Sequence, residues 1–318
     1  MKIVILDAST MGADIDLSPI LELGDCTVYQ NTSKEECSGR IKDADIVILN
    51  KVVLSADVLK NAKNLKLICL FAIGFNNVDI DYCRERNILV RNVPGYCVES
   101  VCQHTFALLF SLIENIRYYD DFVKNKSYSK SGIANHIGIP FNEIAGKKWG
   151  IIGMGAIGRK TADVASAFGA EVYYSSVSGA SRKEKYPEVP FETLLKESDI
   201  ISLSTPLNDK TMHLIGEKEL EMMKKSCVII NVSRGAVIDE DALAKAIDSG
   251  KIAGAGIDVY SSEPPSEEFS LINVKNTGRI VFSPHIAWAS VEARANCISM
   301  TAENISTFLN GERNNDVW

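Results

Sequence analysis

Three charged side chains in the second half of the chain have the types that reduction of a 2-keto acid needs. Arg234, Glu263 and His285 each follow a predicted strand, and ligands of open parallel sheets bind outside the carboxyl ends of the strands. An arginine can clamp the carboxylate, a histidine can protonate the oxygen as hydride arrives, and a glutamate can support the imidazole. Each alone is more often part of a surface ion pair, but together they predict a reductase site.

A glycine-rich segment, Gly153-Met154-Gly155-Ala156-Ile157-Gly158, lies between a predicted strand at 149–152 and a helix that runs to about 168. The first glycine permits a tight turn, the second lets the backbone approach a pyrophosphate, and the third packs helix against strand. This context predicts dinucleotide binding, and the alternative is an ordinary glycine-rich turn. A second G-x-G at 254–256 lacks a third glycine, so we interpret it as close packing within a sheet.

The expected ribose-binding position carries no acid. NAD sites usually have Asp or Glu at the end of the second strand, but this strand ends in Ser175-Ser176. These serines and Ser178, with Arg182 and Lys183 downstream, could hydrogen-bond a ribose or accept a 2′-phosphate. NADP(H) is therefore not excluded, and a solvated loop without any cofactor contact is the alternative.

Short β-branched runs alternate with longer amphipathic segments along the chain. The predicted strands are residues 3–6, 27–29, 46–49, 65–71 and 88–93, then 149–152, 171–174, 199–203, 228–232, 253–259 and 280–282. The segments between them are long enough for crossover helices, so the pattern predicts an α/β fold with two doubly wound parallel sheets. One long helix is expected at 99–119, an irregular arm at 124–148, and a closing helix at 290–309 with Ser290 as its N-cap.

Composition limits the classes of protein to which the chain can belong. The 318 residues are 46% hydrophobic and 24% charged, which is typical of about two globular domains. A net charge of −7 without a basic block argues against nucleic-acid binding. The eight cysteines form no C-x-x-C pair, so we expect free thiols and no metal site. The apolar runs are too short for a signal peptide or a membrane span, and we expect a cytoplasmic protein without membrane contact.

Several spaced motifs together resemble the D-isomer-specific 2-hydroxyacid dehydrogenase family over nearly the whole chain. They are the glycine turn, residues 231–243, residues 256–264 and residues 284–287. Within the family, Asn50-Lys51-Val52, the loop 73–79, residues 100–105 and Trp288 are most similar to the glycerate dehydrogenase (hydroxypyruvate reductase) branch. The chain departs from the family at Ser204-Thr205-Pro206, because a histidine is common two residues before that proline.

The resemblance implies two domains and assigns roles to residues. Residues 1–98 and 290–318 would form a flavodoxin-like substrate domain, and residues 99–289 a Rossmann nucleotide domain, with the active site in the cleft between them. Arg234 would bind the substrate carboxylate and carbonyl, Glu263 would support the imidazole, and His285 would be the general acid/base. The other implied substrate contacts are Lys51, Ala72, Ile73, Gly74 and Trp288. The implied cofactor contacts are Gly153, Gly155, Ala156, Ile157, Gly158, Ser175, Ser176, Thr205, Pro206, Thr211, Val232, Asp258 and Ala287, of which the last two would fix the carboxamide.

The activity that the resemblance implies is hydride transfer between NAD(P)H and a small 2-keto acid, hydroxypyruvate or glyoxylate first, to give a D-2-hydroxy acid. NAD(H) is the family default, and a homodimer through the long helix and the arm is expected. Two alternatives stay open. One is a dehydrogenase for a bulkier keto acid, since Phe71, Phe75 and Trp288 could line a larger pocket. The other is a non-catalytic NAD(H)-sensing protein, since the family also resembles corepressors that use this fold.

Overall fold

The structure is a computed structural model that describes residues 1–177 and 183–318. The chain forms two compact units. Unit 1 contains Met1–Cys97 and Trp288–Trp318, and unit 2 contains Val98–Ala287. Each unit is built on its own parallel sheet.

Unit 1 is a five-stranded sheet with helices between the strands. Its strands are β1 (Lys2–Ile5), β2 (Asp25–Val28), β3 (Ile46–Leu49), β4 (Leu67–Leu70) and β5 (Leu89–Arg91), and its helices are α1 (Ser18–Leu21), α2 (Lys34–Ile41), α3 (Ala56–Leu59), α4 (Ile80–Glu85) and α12 (Val291–Leu309). The order β2-β1-β3-β4-β5, with every pair parallel, is that of flavodoxin-like sheets. Every residue of β3 and β4 is buried, which is typical of parallel strands covered on both faces.

Unit 2 begins with α5 (Val98–Ile113) and contains a six-stranded sheet. Its further elements are α6 (Ile116–Lys124), α7 (Ser127–Ser131), β6 (Lys148–Ile152), α8 (Ala156–Ala167), β7 (Glu171–Ser175), α9 (Phe191–Glu197), β8 (Ile200–Leu203), α10 (Glu217–Met222), β9 (Val228–Asn231), α11 (Glu240–Asp248), β10 (Gly254–Ile257) and β11 (Ile280–Phe282). The order is β11-β10-β9-β8-β6-β7, and a parallel bridge between Tyr174 and Glu188 extends the sheet beyond β7. The strand order therefore reverses beside β6, and the glycine turn lies at the carboxyl end of that strand, where such sheets bind nucleotides.

The predicted fold class is confirmed, and the predicted strands differ from the observed ones only at their ends. The strand expected at 65–71 is limited to Leu67–Leu70, and the one expected at 253–259 to Gly254–Ile257. The closing helix is also confirmed, because the Ser290 side chain accepts the Ala293 N–H at 3.1 Å as the N-cap of α12.

Two predictions around the arm are wrong. The single helix expected at 99–119 is two helices, α5 and α6, because Asn115 adopts a left-handed conformation (φ 51°) that a right-handed helix cannot contain. The arm expected to be irregular contains the short helix α7, which is bounded by left-handed residues, Lys126 and Gly132. Asn and Gly tolerate this conformation, and none of the three left-handed residues is apolar, so the pattern of apolar residues did not reveal the breaks.

The second glycine pair packs closely against other chain segments, as expected. A Cβ on Gly254 would lie 2.6 Å from the Arg279 carbonyl oxygen, and a Cβ on Gly256 would lie 2.9 Å from the Leu108 Cβ of α5. Both distances are shorter than a Cβ contact allows, so the glycines let α5 and the neighbouring strand approach β10.

Candidate active site

His285 and Glu263 form a direct pair in unit 2. The distance between His285 Nδ1 and Glu263 Oε2 is 2.6 Å, and the two side chains are 21% and 31% exposed. The second carboxylate oxygen of Glu263 accepts the Tyr260 N–H at 3.2 Å. A carboxylate only accepts hydrogen bonds, so Nδ1 carries the proton toward Glu263. That tautomer makes Nε2 the ring nitrogen that can exchange a proton with a substrate.

The loop that carries His285 is held by Asp258, which is fully buried directly after β10. The Asp258 carboxylate accepts the N–H groups of Ile286 and Ala287, both at 2.9 Å, and the hydroxyl of Ser283 at 2.6 Å. Three hydrogen bonds to one ionised group fix the loop on both sides of the histidine. Asp258 therefore has a positioning role that the sequence did not predict.

His104 of α5 extends this network. Its Nε2 lies 2.7 Å from Ser283 Oγ and 3.6 Å from Asp258 Oδ1. Because the Ser283 hydroxyl donates to Asp258, His104 must donate to Ser283 through Nε2. No motif indicated that Ser283 and His104 meet, because the two residues lie 179 positions apart. The signals in the sequence were that Ser283 directly precedes Pro284 and His285, and that His104 lies in the segment 100–105.

Arg234 follows β9 and lies partly buried. Its carbonyl accepts the Asn231 side-chain N–H at 2.9 Å, and its Nη1 donates to the Ser233 carbonyl at 2.7 Å. The next residue, Gly235, touches the segment after β10, since a Cβ there would lie 1.9 Å from the Tyr260 carbonyl carbon. The backbone that follows Arg234 thus packs on the segment that leads to Glu263. The structure brings the two predicted segments together through a glycine that cannot be replaced without moving one of them.

The glycine turn has the shape of a phosphate site. Gly153 has φ 95°, and a Cβ on it would lie 2.7 Å from the Ser204 carbonyl oxygen. A Cβ on Gly158 would lie 2.2 Å from the Gly153 carbonyl oxygen, whereas no atom of residues 1–177 and 183–318 lies within 4 Å of a Cβ on Gly155. The open space above Gly155 faces the amino end of the 12-residue helix α8. N–H groups at a helix amino end are without intrahelical partners and favour anions, so the residues fit a dinucleotide pyrophosphate.

The ribose end of the candidate site is only partly described. The carbonyl of Ser175 accepts the Gly153 N–H at 3.1 Å, which ties the end of β7 to the glycine turn, and the Ser175 side chain is buried. Ser176 is half-buried and Lys183 is exposed. The predicted contacts Ser178 and Arg182 lie outside the described residues.

The other predicted cofactor residues lie after β8 and β9. Thr205 is buried, and its nitrogen would lie 3.1 Å from a Cβ on Gly153. The hydroxyl of Thr211 donates to the Pro206 carbonyl at 2.7 Å and accepts the Asn208 N–H at 2.8 Å. That hydroxyl therefore stabilises the turn after β8. Val232 is half-buried directly after β9.

The predicted substrate residues of unit 1 lie at strand ends. Lys51 is exposed two residues after β3, and Ala72, Ile73 and Gly74 are half-buried after β4. The Asn92 side chain donates to the Ile73 carbonyl at 2.6 Å, and the Val93 N–H donates to the Ala72 carbonyl at 3.1 Å. These bonds turn two carbonyl groups of the loop toward β5 and its continuation.

The aromatic residues of unit 1 do not all suit a pocket. Trp288 packs edge-on against Tyr96, with ring centroids 6.2 Å apart. Phe75 is exposed, but Phe71 has no exposed surface at all. Phe71 is thus a core residue and cannot line the larger pocket that was considered for it.

The described residues contain neither a candidate metal site nor a candidate membrane span. Within residues 1–177 and 183–318, no group of His, Cys, Asp and Glu could hold a metal ion. In the same ranges no helix has both the length and the apolar character that crossing a bilayer requires.

Comparison with known proteins gives consistent matches. A family model described as D-isomer specific 2-hydroxyacid dehydrogenase, NAD binding domain, matches residues 106–287. The chain is 35% identical to a hydroxypyruvate reductase of Blautia hydrogenotrophica over 98% of both chains. It is 40% identical to a glyoxylate reductase of Thermococcus litoralis over 86% of this chain and 83% of the relative. A solved acyclic imino acid reductase in complex with NADPH and D-arginine has a TM-score of 0.88 at 31% identity, with both chains fully covered. All three proteins are reductases by name.

Proposed function

We propose, from the premise that this chain belongs to the D-isomer-specific 2-hydroxyacid dehydrogenase family, that it reduces hydroxypyruvate and glyoxylate with a nicotinamide cofactor. The two relatives described above are named for these substrates. The observation that carries the proposal is the 2.6 Å bond between His285 Nδ1 and Glu263. It leaves Nε2 as the ring nitrogen that gains and loses the proton, so the imidazolium form of His285 can protonate a carbonyl oxygen, as carbonyl reduction needs.

The chemistry divides between the cofactor and three side chains. The reduced nicotinamide, when bound, supplies the hydride that adds to the keto carbon. His285 gives its Nε2 proton to the carbonyl oxygen, which becomes the hydroxyl of the D-2-hydroxy acid. Glu263 stabilises the imidazolium before the transfer, and Arg234 binds the carboxylate and the carbonyl oxygen through its planar guanidinium. In the reverse direction His285 accepts the hydroxyl proton.

The cofactor would be held mainly by backbone groups. Gly155 and the first turn of α8, residues 156–158, would contact the pyrophosphate, while Thr205 and Pro206 would pass beside the nucleotide. Asp258 and Ala287 would fix the carboxamide. In the described part of the chain the end of β7 offers serine hydroxyls and no carboxylate. A carboxylate there would repel a 2′-phosphate, so we propose that the protein uses NAD(H) and also accepts NADP(H).

Unit 1 would contribute anion binding. The backbone N–H groups of Ala72, Ile73 and Gly74 would face the substrate carboxylate, as successive N–H groups in turns do at other anion sites. Lys51 would add a positive charge, and Trp288 an apolar surface. The support for this proposal is the position of all these residues at strand ends and at the start of the second segment of unit 1.

A second copy of the chain is the proposed partner of the arm. Large apolar side chains are exposed along α6 and the segment that follows it. They are Ile116, Val123, Ile133, Ile137, Ile139 and Phe141, with Ile137 exposed by 82%. Large apolar side chains exposed in one segment are typical of a protein interface, and we propose a homodimer.

The test is oxidation of the reduced cofactor by the purified protein. NADH and NADPH are compared with hydroxypyruvate, glyoxylate, pyruvate and phenylpyruvate as substrates. The proposal predicts the highest kcat/KM for hydroxypyruvate or glyoxylate and measurable turnover with both cofactors. Fastest reduction of phenylpyruvate would favour the bulkier keto acid. Tight NAD(H) binding without turnover of any acid would favour the sensing protein.

A further inference from the structure

Asp7 is a buried carboxylate of unit 1 to which the proposed chemistry assigns no role. It lies two residues after the end of β1 and is 3% exposed. Its two oxygens accept three successive peptide N–H groups after β3, from Asn50 at 2.9 Å, Lys51 at 2.6 Å and Val52 at 3.1 Å. Three consecutive N–H groups form a concavity for an anion. In this turn the anion is an internal side chain.

The carbonyl groups of the same turn are held from another direction. The Asn77 side-chain nitrogen donates to the carbonyls of Asn50 at 3.1 Å and Val52 at 2.8 Å. The Asn77 carbonyl in turn accepts the Leu54 N–H at 2.8 Å. Asn77 belongs to the loop that contains residues 72–74, so the turn after β3 is fastened to the loop after β4.

These contacts fix the backbone of the turn and not the side chain of Asn50. The side-chain nitrogen of Asn50 is buried and has no hydrogen-bond partner among the residues that the structure describes. Hydrogen bonds hold backbone N–H and C=O groups of this turn. They therefore fix the direction of the Cα–Cβ bond of Lys51. Without the carboxylate, three buried or half-buried N–H groups would lose their acceptor, which is costly for a buried donor.

Burial disfavours the ionised form of the Asp7 carboxyl group. Burial raises the pKa of Asp7 although the N–H groups of Lys51, Asn50 and Val52 lower it. The charged carboxylate is therefore disfavoured relative to an exposed one. A buried carboxylate whose charge is disfavoured, but which orders a turn at a candidate binding surface, is typical of a functional constraint.

We propose that Asp7 is a positioning residue for substrate binding, which holds the Lys51 backbone so that the Lys51 ammonium meets the carboxylate of the keto acid. The inference rests on the proposed function and deepens it. It assigns a role in affinity for the acid to a residue outside the Arg234, Glu263 and His285 set. The chemical step itself does not depend on Asp7.

The first experiment is Asp7→Asn, which keeps the shape of the side chain but turns an NH₂ group toward the peptide N–H groups. We expect KM for hydroxypyruvate or glyoxylate to rise about tenfold, which corresponds to about 1.4 kcal/mol of lost binding energy. The kcat and the NADH dissociation constant should change by less than about twofold, because uniform binding affects KM alone. An unchanged KM in a folded variant would overturn the inference.

Asp45→Asn is the matched control. Asp45 is also an aspartate of unit 1 whose carboxylate accepts a backbone N–H, that of Lys2 at 2.9 Å, but it precedes β3 instead of following it. Its substitution should leave KM for the acid unchanged. Equal increases in both variants would show that general loosening of the sheet, and not the turn after β3, changes KM.

A double-mutant cycle tests whether Asp7 acts through Lys51. Lys51→Met should raise KM for the acid by itself. Adding Asp7→Asn to Lys51→Met should then raise KM by less than about twofold further, since coupled residues are not additive. A full tenfold further increase would show that Asp7 acts independently of Lys51 and would overturn the assignment.

Hydrogen exchange separates failure of this inference from failure of the proposed function. Asp7→Asn should accelerate exchange of the amides at residues 50–52 by at least about tenfold, since each loses a charged acceptor. If the unmodified protein turns over no keto acid, the proposed function fails and the substrate role of Asp7 fails with it. If the protein is active and neither KM nor exchange changes in the variant, only the inference about Asp7 fails.

Discussion

At the scale of single residues, His285 is held by its backbone as firmly as by its side chain. Its φ of 54° lies in the left-handed region, which costs an L-residue roughly 1–2 kcal/mol. The His285 N–H donates to the Asp258 carbonyl at 2.7 Å, and the next two N–H groups bind the Asp258 carboxylate. These bonds offset the strain and set the direction in which the imidazole leaves the chain, which is how strained residues occur at functional sites.

Substitution of the histidine tests the proton transfer directly. We expect His285→Ala to lower kcat by about 10²–10⁴-fold, the range that a general acid contributes, while the NADH dissociation constant stays nearly the same. Steady-state kinetics and cofactor titration by fluorescence measure the two quantities.

His213→Ala is the control for the backbone, because His213 is another left-handed histidine of unit 2 (φ 49°). It should retain most of the activity. Turnover by His285→Ala close to that of the unmodified protein would remove the general-acid assignment.

At the scale of elements, the glycines of the turn between β6 and α8 have different roles, some in packing and one in cofactor binding. Gly153 and Gly158 are required by packing, since a Cβ at either position meets backbone atoms at 2.7 Å or less. A Cβ on Gly155 would meet no atom of the described residues within 4 Å, so packing within this part of the chain does not require a glycine there, and we attribute it to cofactor binding. Stability and cofactor binding are therefore separable within six residues.

Two alanine substitutions separate these effects. Gly155→Ala should leave the melting temperature unchanged and weaken NADH binding by about tenfold or more, because the methyl group occupies space that a phosphate needs. Gly153→Ala should lower the melting temperature by several degrees, because it combines a positive φ with a backbone clash. Thermal unfolding and cofactor titration measure both, and equal cofactor affinity in Gly155→Ala and the unmodified protein would contradict the phosphate site.

At the scale of the whole molecule, unit 1 is assembled from two distant chain segments. Arg91, which is fully buried, joins them by donating to the carbonyls of Asn304 and Glu312 at 2.6 Å and to the Asp316 carboxylate at 2.7 Å. Its guanidinium has the five donors that such a junction needs. Two further features of the whole molecule can be tested: the burial of its cysteines, by thiol reactivity, and the exposed arm, by the dimer dissociation constant.

The thiols should report the integrity of both units. Seven of the eight cysteines are buried, and burial raises the pKa of Cys69, Cys83 and Cys227 to about 12. Because the thiolate is the reactive form, at most one thiol, Cys26, should react quickly with a water-soluble disulfide reagent at pH 8. All eight should react after unfolding in denaturant. Rapid reaction of several thiols in the folded protein would contradict this packing.

The arm should control association. We expect the protein to sediment as a dimer and Ile137→Asp to raise the dimer dissociation constant by about 100-fold, because the interface would bury an unpaired charge. Ile272→Asp is the control, since Ile272 is exposed by 51% but lies outside the arm. Sedimentation of both variants as dimers would exclude the arm as the interface.

The sequence by itself determined the features that depend on near neighbours. Strand positions, the glycine turn, the Ser290 cap and the candidates Arg234, Glu263 and His285 all follow from local patterns, because side-chain periodicity and backbone requirements act over a few residues. Tertiary structure alone decided which distant groups meet. The pairing of Asp258 with Ile286 and Ala287, of His104 with Ser283, and of Asp7 with the turn after β3 joins residues 28 to 179 positions apart. Hydrogen-bond partners at such separations depend on how the strands are ordered in the sheet, and no local pattern contains that order.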